Sequence, residues 1–441
     1  MRILLTANAS YVPPRGGATR SNLVWLGLLA AAGHACRVVS SSLAHDPAGK
    51  LAQMEEEEIS AHPIAADAGE GVEIVESGPI TVYAAPDPSR RGKLLRQQIR
   101  EFEPEWVLVS SEDLGQMLLR EAHAAAPGRV IYLAHTPQLF PFGPASWNRD
   151  PHGAGLIRES AGIVAIGRHT ANYIEEHAGR RPVVIHPPIY GHGPFEKYGS
   201  FDRGLITIIN PCAVKGLPVF LALAGRIPEF EFGAVPGWGT TLADRRALQC
   251  LPNVRILPNV KHIEQVLRET RVLLMPSLWY EGFGLTVMEA MLRGVPVLAS
   301  DSGGLREAKG GTRFILPVRP VERYEPVFDE HGLPKAVIPG QDIVPWETAL
   351  RSLLSNRNLY EEESRLSRRA ALEFVSAIRP AGMEEFLRSL LPASGEPGPG
   401  RDETEPPRIS GNALSGLSDN KRTLLLQRLR KKATGRQQSA G

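Results

Sequence analysis

Two carboxylates, eight positions apart, flank a glycine-rich turn in the second half of the chain. Glu281 lies in the turn, and Glu289 lies about one turn into the helical pattern that follows, Leu285 to Arg293. An apolar run from Arg271 to Met275 leads into this turn, and a second apolar run, Val295 to Ala299, leads into another small-residue turn. We therefore predict the order strand, glycine turn, helix, strand, glycine turn, which is how a parallel α/β sheet presents backbone N–H groups to an anion.

The residue types in this unit suit a phosphorylated ligand that also carries hydroxyl groups. The glycines leave amide groups uncovered for phosphate oxygens, and the two glutamates can accept hydrogen bonds from sugar hydroxyls. On spacing alone a second interpretation stays open, namely an ordinary βαβ turn whose glutamates face solvent.

The same stretch resembles a known signature. Residues 275 to 304 contain Pro-Ser-x-x-Tyr-Glu-Gly-Phe-Gly-Leu, then Glu-Ala-Met, then Gly-x-Pro-Val-x-Ala-Ser-Asp-x-Gly-Gly. This pattern strongly resembles the Glu-x7-Glu signature of retaining glycosyltransferases with the GT-B fold, specifically glycosyltransferase family 4. Weaker similarity extends from residue 1 to about residue 392. The resemblance implies an α/β fold with two Rossmann-like domains that face a cleft.

The resemblance also implies roles for the matching positions. Glu289 would hold the ribose hydroxyls and Glu281 the transferred sugar, which His135, directly after a predicted strand, would orient. Lys215 and the amides of two glycine turns would stabilise the leaving diphosphate. The residues implied to be catalytic are His135 and Glu281. The implied donor-binding residues are Gly16, Gly17, Lys215, Gly282, Phe283, Gly284, Leu285, Glu289, Asn259 and Val260.

The chain departs from the family pattern at one position of this set. Family members often have arginine where this chain has Asn210, and a lysine alone does not reproduce the bidentate geometry of an arginine. Arg15 and Arg20 are our conjectured substitutes for the missing charge. His135 has an alternative interpretation as a structural histidine, and the Gly16-Gly17 pair as a flexible loop that needs positive φ.

The composition argues against several other classes of protein. The formal net charge of the 441 residues is +2, which gives no global field for nucleic acid. Three widely spaced cysteines fit neither a disulfide framework nor a zinc site and suit a reducing cytosol. We find no signal-like leader and no stretch of about twenty apolar residues, so we predict a cytoplasmic protein without a transmembrane helix. We place no metal-binding motif and expect no cofactor beyond a nucleoside-diphosphate sugar as substrate.

We predict five segments along the chain. They are a Rossmann-like acceptor domain (1–190), a Rossmann-like donor domain (191–378), a helix that crosses back to the first domain (379–391), a disordered linker (392–415) and a short basic amphipathic helix (416–434).

Several stretches are predicted to be irregular. These are a long loop from Asn8 to Gly17, an acidic segment over residues 44–78, and an insertion from Val318 to Ile343. The aromatic, proline-rich loop from Gln138 to Arg149 is a candidate lip for the acceptor site.

The basic segment near the end of the chain, 416–434, has a resemblance of its own. Its sequence Leu-Ser-Asp-Asn-Lys-Arg-Thr-Leu-Leu-Leu-Gln-Arg-Leu is similar to the leading segment of non-ribosomal peptide synthetase modules, which implies docking to a megasynthase. Peripheral contact with an anionic membrane and a tail with no role are the alternatives.

We conclude from the sequence that the chain is a metal-independent, retaining GT-B glycosyltransferase. It would move a sugar from a nucleoside-diphosphate sugar to an acceptor hydroxyl or amine, in natural-product or glycoconjugate biosynthesis. Two alternatives stay open: a nucleotide-sugar-binding adaptor without catalysis that docks to a megasynthase, and a GT-B nucleotide-sugar epimerase.

Overall fold

The computed structural model describes residues 1–14, 16–42, 61–67, 71–258, 260 and 262–391, and for 61–67 it describes the backbone alone. The predictions for Arg15, for Asn259 and for the two segments after residue 391 therefore lie outside the described residues. The described chain forms two α/β domains, so the predicted fold of two Rossmann-like domains is confirmed.

The first domain is built on a nine-stranded sheet with the strand order β3-β4-β5-β2-β1-β6-β7-β8-β9. The strands are β1 Arg2–Ser10, β2 Ala35–Ser41, β3 Ala61–Asp67, β4 Val72–Ser77, β5 Ile80–Ala84, β6 Trp106–Ser110, β7 Val130–Ala134, β8 Gly162–Ala165 and β9 Val183–Val184. Its helices are α1 Gly16–Ala31, α2 Pro88–Phe102, α3 Met117–Ala125, α4 Pro151–Glu159 and α5 Arg168–Ala178. β3 and β4 pair antiparallel at one edge, and the strands from β5 to β9 in the sheet order run parallel.

The central strands of this sheet are covered on both faces. Every residue of β6 and β7 is buried, as expected for parallel strands between two layers of helices. Alternate residues of β1 show the two layers: Leu4 packs in the cluster of α2 and α3, whereas Ile3 and Leu5 pack in the cluster of α1. This packing fixes the carboxyl ends of the strands along one edge of the domain.

The second domain contains a six-stranded parallel sheet with the order β12-β11-β10-β13-β14-β15. The strands are β10 Leu205–Ile209, β11 Phe232–Val235, β12 Val254–Ile256, β13 Thr270–Met275, β14 Val297–Ser300 and β15 Ile315–Leu316. The helices are α6 Leu217–Arg226, α7 Leu242–Gln249, α8 Ile263–Arg268, α9 Leu285–Leu292, α10 Leu305–Ala308, α11 Val344–Ser355 and α12 Arg357–Ser376.

The last described helix, α13 (Gly382–Ser389), packs on the first domain. Met383 and Leu387 are buried in the same apolar cluster as Ile3. Trp106 Nε1 donates to the carbonyl oxygen of Leu387 at 3.1 Å, and Glu384 lies 3.0 Å from His34 Nε2. The chain thus begins and ends, as far as it is described, in one domain.

Three local predictions were wrong. The loop expected from Asn8 to Gly17 is shorter, because β1 continues to Ser10 and α1 begins at Gly16. Part of the segment 44–78 forms β3 and β4, and a two-residue Gly-Pro connection pairs Ser77 with Ile80. The insertion after β15 contains a hairpin of β16 (Tyr324–Phe328) and β17 (Pro334–Ala336).

No helix in the described part of the chain combines the length and the apolar character needed to cross a membrane.

Candidate functional site

Glycine turns bring the two domains together at the carboxyl ends of their sheets. A Cβ atom at Gly17 would lie 2.8 Å from Leu285 Cδ1 of the other domain. A Cβ at Gly282 would clash with the carbonyl oxygen of His135. Only glycine allows this approach, so the two predicted glycine turns and His135 lie against one interdomain cleft.

Glu281 is held by three donors on its own side of the cleft. Its Oε1 accepts from Lys215 Nζ at 2.5 Å, from Ser277 Oγ at 2.5 Å and from Trp279 Nε1 at 2.9 Å. Glu281 and Lys215 are nearly buried, with 10% and 13% of their side chains exposed. These contacts all end on Oε1, which leaves Oε2 to accept from a ligand hydroxyl.

Lys215 reaches Glu281 from the loop after β10. Its Nζ also lies 4.4 Å from the centre of the Trp279 ring, in a cation–π contact. The loop folds closely because Gly216 has φ +83, and a Cβ there would clash with Pro276. The ammonium is therefore fixed between a carboxylate and an indole.

The turn at Gly282 to Gly284 leads directly into α9. Gly284 has φ 117 and caps the helix without a side-chain hydrogen bond, so the first amides of α9 stay available. The turn Ser302-Gly303-Gly304, which follows β14, supports it, since Gly304 N donates to Glu281 O at 2.8 Å. A helix N-terminus with open amides, beside a lysine, favours phosphate.

Glu289 lies on α9 and is half-buried. Burial raises its pKa to about 7, while the charges of Arg20 and Arg293 oppose that rise. Arg20 belongs to α1 of the first domain, so one of the two arginines conjectured to supply charge to the site lies within electrostatic range of Glu289. Val260 lies in the loop after β12, beyond the last strand at that edge of the sheet.

His135 follows β7 and is buried in the first domain. Asn22 Nδ2 donates to Ser110 Oγ at 3.1 Å, so Asn22 Oδ1 accepts a hydrogen bond from His135 Nε2–H at 2.9 Å. The His135 ring stacks on Trp25 at 5.8 Å. Burial lowers the pKa of His135 to about 3, so the imidazole is neutral. Its Nδ1 is a lone-pair acceptor that has no partner among the described residues.

Asn210 does not extend toward a phosphate as an arginine would. The residue has φ 56, in the left-handed region that asparagine tolerates. Its Oδ1 accepts from Gly239 N at 2.9 Å in the turn after β11. Asn210 therefore supports the neighbouring loop, and a neutral amide stands where the resembled family often has an arginine.

A row of aromatic rings across the cleft was missed by sequence reasoning. Trp279 lies 5.7 Å from Trp238 and 6.2 Å from Trp147, and Trp147 lies 5.5 Å from Tyr324 of the hairpin. Trp147 belongs to the loop Gln138 to Arg149, whose aromatic content was the one available signal. The four rings come from separate segments, and only the fold aligns them.

Glu307 on α10 forms a second contact across the domains that the sequence did not indicate. It accepts from the backbone N of Arg168 and of His169, each at 3.0 Å, and thereby caps α5. Gly167, the residue at the N-cap of α5, has no side chain that could accept from these amides. Thr170 adds a hydrogen bond to the carbonyl oxygen of Gly282 at 2.9 Å.

Within the described ranges, no three or more histidine, cysteine, aspartate or glutamate residues are grouped so that they could hold a metal ion.

Residues 210–325 match the family model described as glycosyl transferases group 1. This segment contains Lys215, Glu281 and Glu289. A search of curated protein sequences gave no match.

Solved structures resemble the chain over most of its length. Sucrose-phosphate synthase from Thermosynechococcus elongatus is 15% identical with a TM-score of 0.64, covering 88% of this chain and 99% of that chain. The catalytic domain of starch synthase IV from Arabidopsis thaliana, bound to ADP and acarbose, is 13% identical with a TM-score of 0.58, and the match covers 88% of this chain and 98% of that chain. HepE from Anabaena, in complex with UDP, is 14% identical with a TM-score of 0.56, and the match covers 88% of this chain and 99% of that chain. The chain thus has the GT-B fold.

Proposed function

We propose that the chain is a retaining glycosyltransferase that moves a sugar from a nucleoside-diphosphate sugar to an acceptor hydroxyl or amine. The observation that carries this proposal is the Lys215–Glu281 pair beside the open N-terminus of α9, opposite the neutral His135. The match of residues 210–325 to glycosyl transferases group 1 supports it.

The donor would lie with its diphosphate at the start of α9. The amides of the Gly282–Leu285 and Gly16–Gly17 turns and the Lys215 ammonium would stabilise the negative charge that grows on the leaving diphosphate. Lys215 and these amides would provide the charge that the reaction needs, so we propose a metal-independent transfer. Glu289 would accept from the ribose hydroxyls.

The transferred sugar would lie between Glu281 and His135. Glu281 Oε2 would accept from a sugar hydroxyl, and His135 Nδ1 from a second one on the opposite side of the cleft. Glu281 is tied by three donors on Oε1, which suits a fixed hydroxyl acceptor better than an acid or a nucleophile of the glycosidase type. The domain contacts at Gly17 and Gly282 would exclude water from the reaction.

Donor turnover across a panel of UDP-, GDP-, ADP- and dTDP-sugars tests this proposal, with the wild type beside Glu281→Ala. We expect release of one nucleoside diphosphate by the wild type and its loss in the variant. A variant that keeps near-normal turnover would remove Glu281 from the site.

A non-catalytic adaptor is the second candidate, and Asn210 favours it. A neutral amide at that position binds a diphosphate more weakly than an arginine. Nucleotide binding by the folded wild type without turnover of any sugar in the panel would support the adaptor. An epimerase of this fold has less support, because it should not need an acceptor loop, whereas the loop Gln138 to Arg149 is large.

We further propose that residues 416–434 dock the enzyme to a megasynthase and that the protein acts in the cytoplasm. The three cysteines are free thiols, which supports a reducing compartment. A chain that ends at residue 392 should retain full activity on a free small acceptor, because no donor group that we propose lies beyond that point. Loss of activity on truncation, measured with the same donor, would place the segment in the catalytic unit.

A further inference from the structure

The two halves of the Asn210 side-chain amide are used unequally. Oδ1 accepts from Gly239 N at 2.9 Å, whereas Nδ2 is buried and has no hydrogen-bond partner in the part of the chain that the structure describes. Asn210 is 7% exposed. A buried N–H without a partner is costly, so this group is a candidate donor to a ligand oxygen.

The turn from Gly237 to Gly239 lies directly on Asn210. A Cβ at Gly237 would come within 2.7 Å of Asn210 Oδ1, and a Cβ at Gly239 within 2.9 Å of Cys212 Sγ. Thr240 closes the turn by accepting from Gly237 N at 3.0 Å. The two glycines thus allow the turn to pack closely against Asn210 and Cys212. Trp238 lies at the apex of the turn and is 39% exposed.

Trp238 adjoins the groups that would bind the diphosphate. Its ring lies 5.7 Å from Trp279, which also contacts Lys215 Nζ at 4.4 Å. A Cβ at Gly16 of the opposite glycine turn would lie 4.0 Å from Trp238 Nε1. β10 and β11 are paired neighbours, so their carboxyl-end loops share one edge. Trp238 therefore lies one ring beyond the phosphate-binding groups, in the direction of the β12 edge.

We propose that Trp238 is the stacking platform for the donor's nucleobase, and that Asn210 positions it and donates its free N–H to an oxygen of the same nucleotide. This inference rests on the proposed function, since it assumes a nucleoside-diphosphate donor. An indole face stacks on any base and contributes a large share of nucleotide affinity. The chain thus replaces a charged phosphate contact with a contact to the base.

The exposure of Trp238 leaves part of its ring available to a ligand. Trp25, which packs the core beneath His135, is 2% exposed. Trp238 is fixed by its turn and by Trp279, yet more than a third of its surface is uncovered.

Calorimetric titration tests the proposal with UDP, ADP, GDP and dTDP, and with inorganic pyrophosphate as the probe without a base. We expect one nucleotide to bind the wild type more tightly than pyrophosphate. Trp238→Ala should lose about ten-fold or more of that affinity and leave pyrophosphate binding unchanged. Trp238→Phe should retain most of it, and Asn210→Ala should weaken nucleotide binding. Leu242→Ala, which removes an exposed apolar side chain at the start of α7, should bind all probes as the wild type does.

The outcomes separate the two proposals. Wild-type nucleotide affinity in Trp238→Ala would overturn the stacking role alone. Equal losses of nucleotide and pyrophosphate in both Trp238 variants would also overturn it, because the effect would then not depend on the base. A wild type that binds none of the nucleotides would overturn the proposed function together with this inference.

Discussion

Glu281 and His135, one from each domain, differ in how completely the protein satisfies their hydrogen-bonding atoms. On the face of the second domain, one oxygen of Glu281 accepts three hydrogen bonds. The first domain instead contains buried polar atoms that find no hydrogen-bond partner within the described ranges: Tyr11 Oη, Trp25 Nε1, Glu112 Oε2 and His135 Nδ1. Buried atoms of the second domain also lack a partner among the described residues: Asn210 Nδ2, Arg271 Nε, Arg293 Nε, Glu363 Oε2 and Arg368 Nη1.

This difference shows which of the two side chains is held in place by hydrogen bonds within the protein. Each unsatisfied buried group costs about 1–3 kcal/mol, which a ligand hydroxyl or amine can recover. Burial without a partner raises the pKa of Glu112 to about 7. Glu281 and Lys215 are therefore preorganised as a fixed charged pair, whereas His135 presents a neutral acceptor whose partner we propose to be a substrate hydroxyl.

The largest effect is expected from removing the positive charge beside Glu281. Lys215→Ala removes the cation from the diphosphate site and one of the three donors to Glu281. We expect turnover of the preferred donor to fall on the order of 10²- to 10³-fold with the fold intact. Lys215→Arg, which keeps the charge in another geometry, should lose less. Turnover of the alanine variant within a few-fold of the wild type would contradict the proposed site.

A smaller effect is expected on the opposite face. His135→Ala removes a neutral acceptor and should reduce transfer about 10- to 100-fold, because one hydrogen bond in a water-excluded site is lost. Since the pKa of His135 is lowered to about 3, its ring does not titrate in any ordinary assay. The ratio of wild-type to variant turnover should thus stay constant between about pH 5 and pH 9. A ratio that follows an ionisation near neutral pH would mean that the ring is charged in the complex.

The next effect in size concerns Glu289, whose pKa burial raises to about 7 in the folded chain from an ordinary value of 4.5. Between these values the folded state holds a proton that the unfolded state releases, so this residue favours folding at low pH and opposes it as pH rises. Removing it in Glu289→Gln should remove about 1–2 kcal/mol of that pH dependence, allowing for partial exposure. Urea unfolding of both proteins at pH 5 and pH 8 measures the difference. Identical pH dependence would show that Glu289 is not desolvated.

The smallest effect concerns the contact that joins the two faces. Glu307→Ala leaves the α5 amides of Arg168 and His169 without a cap and should lower stability by about 1 kcal/mol, seen as a fall of about one to two degrees in the unfolding temperature. Glu175→Ala, an exposed glutamate of α5 itself, is the matched control. If both variants melt with the wild type, the cross-domain cap contributes nothing.

The sequence predicted the fold and the strand, turn and helix around Glu281, because glycine turns and buried strands are set by neighbouring residues. The unit around Glu281 needed no distant information, since a strand, a turn and a helix follow one another along the chain. The surroundings of His135 were different: Asn22 and Trp25 reach it from α1, more than a hundred positions away. Trp238 and Glu307 are likewise brought to the cleft by tertiary packing. The roles proposed for the site residues stay predictions until they are measured.

The placement of α13 has a consequence for synthesis of the chain. Every strand and helix of the second domain lies between Leu205 and Ser376, so that domain is complete before α13 is made. The first domain has Trp106 and its neighbours uncovered until Met383 and Leu387 arrive. On the ribosome, where folding normally proceeds from the N-terminus, the domain that starts first is therefore finished last.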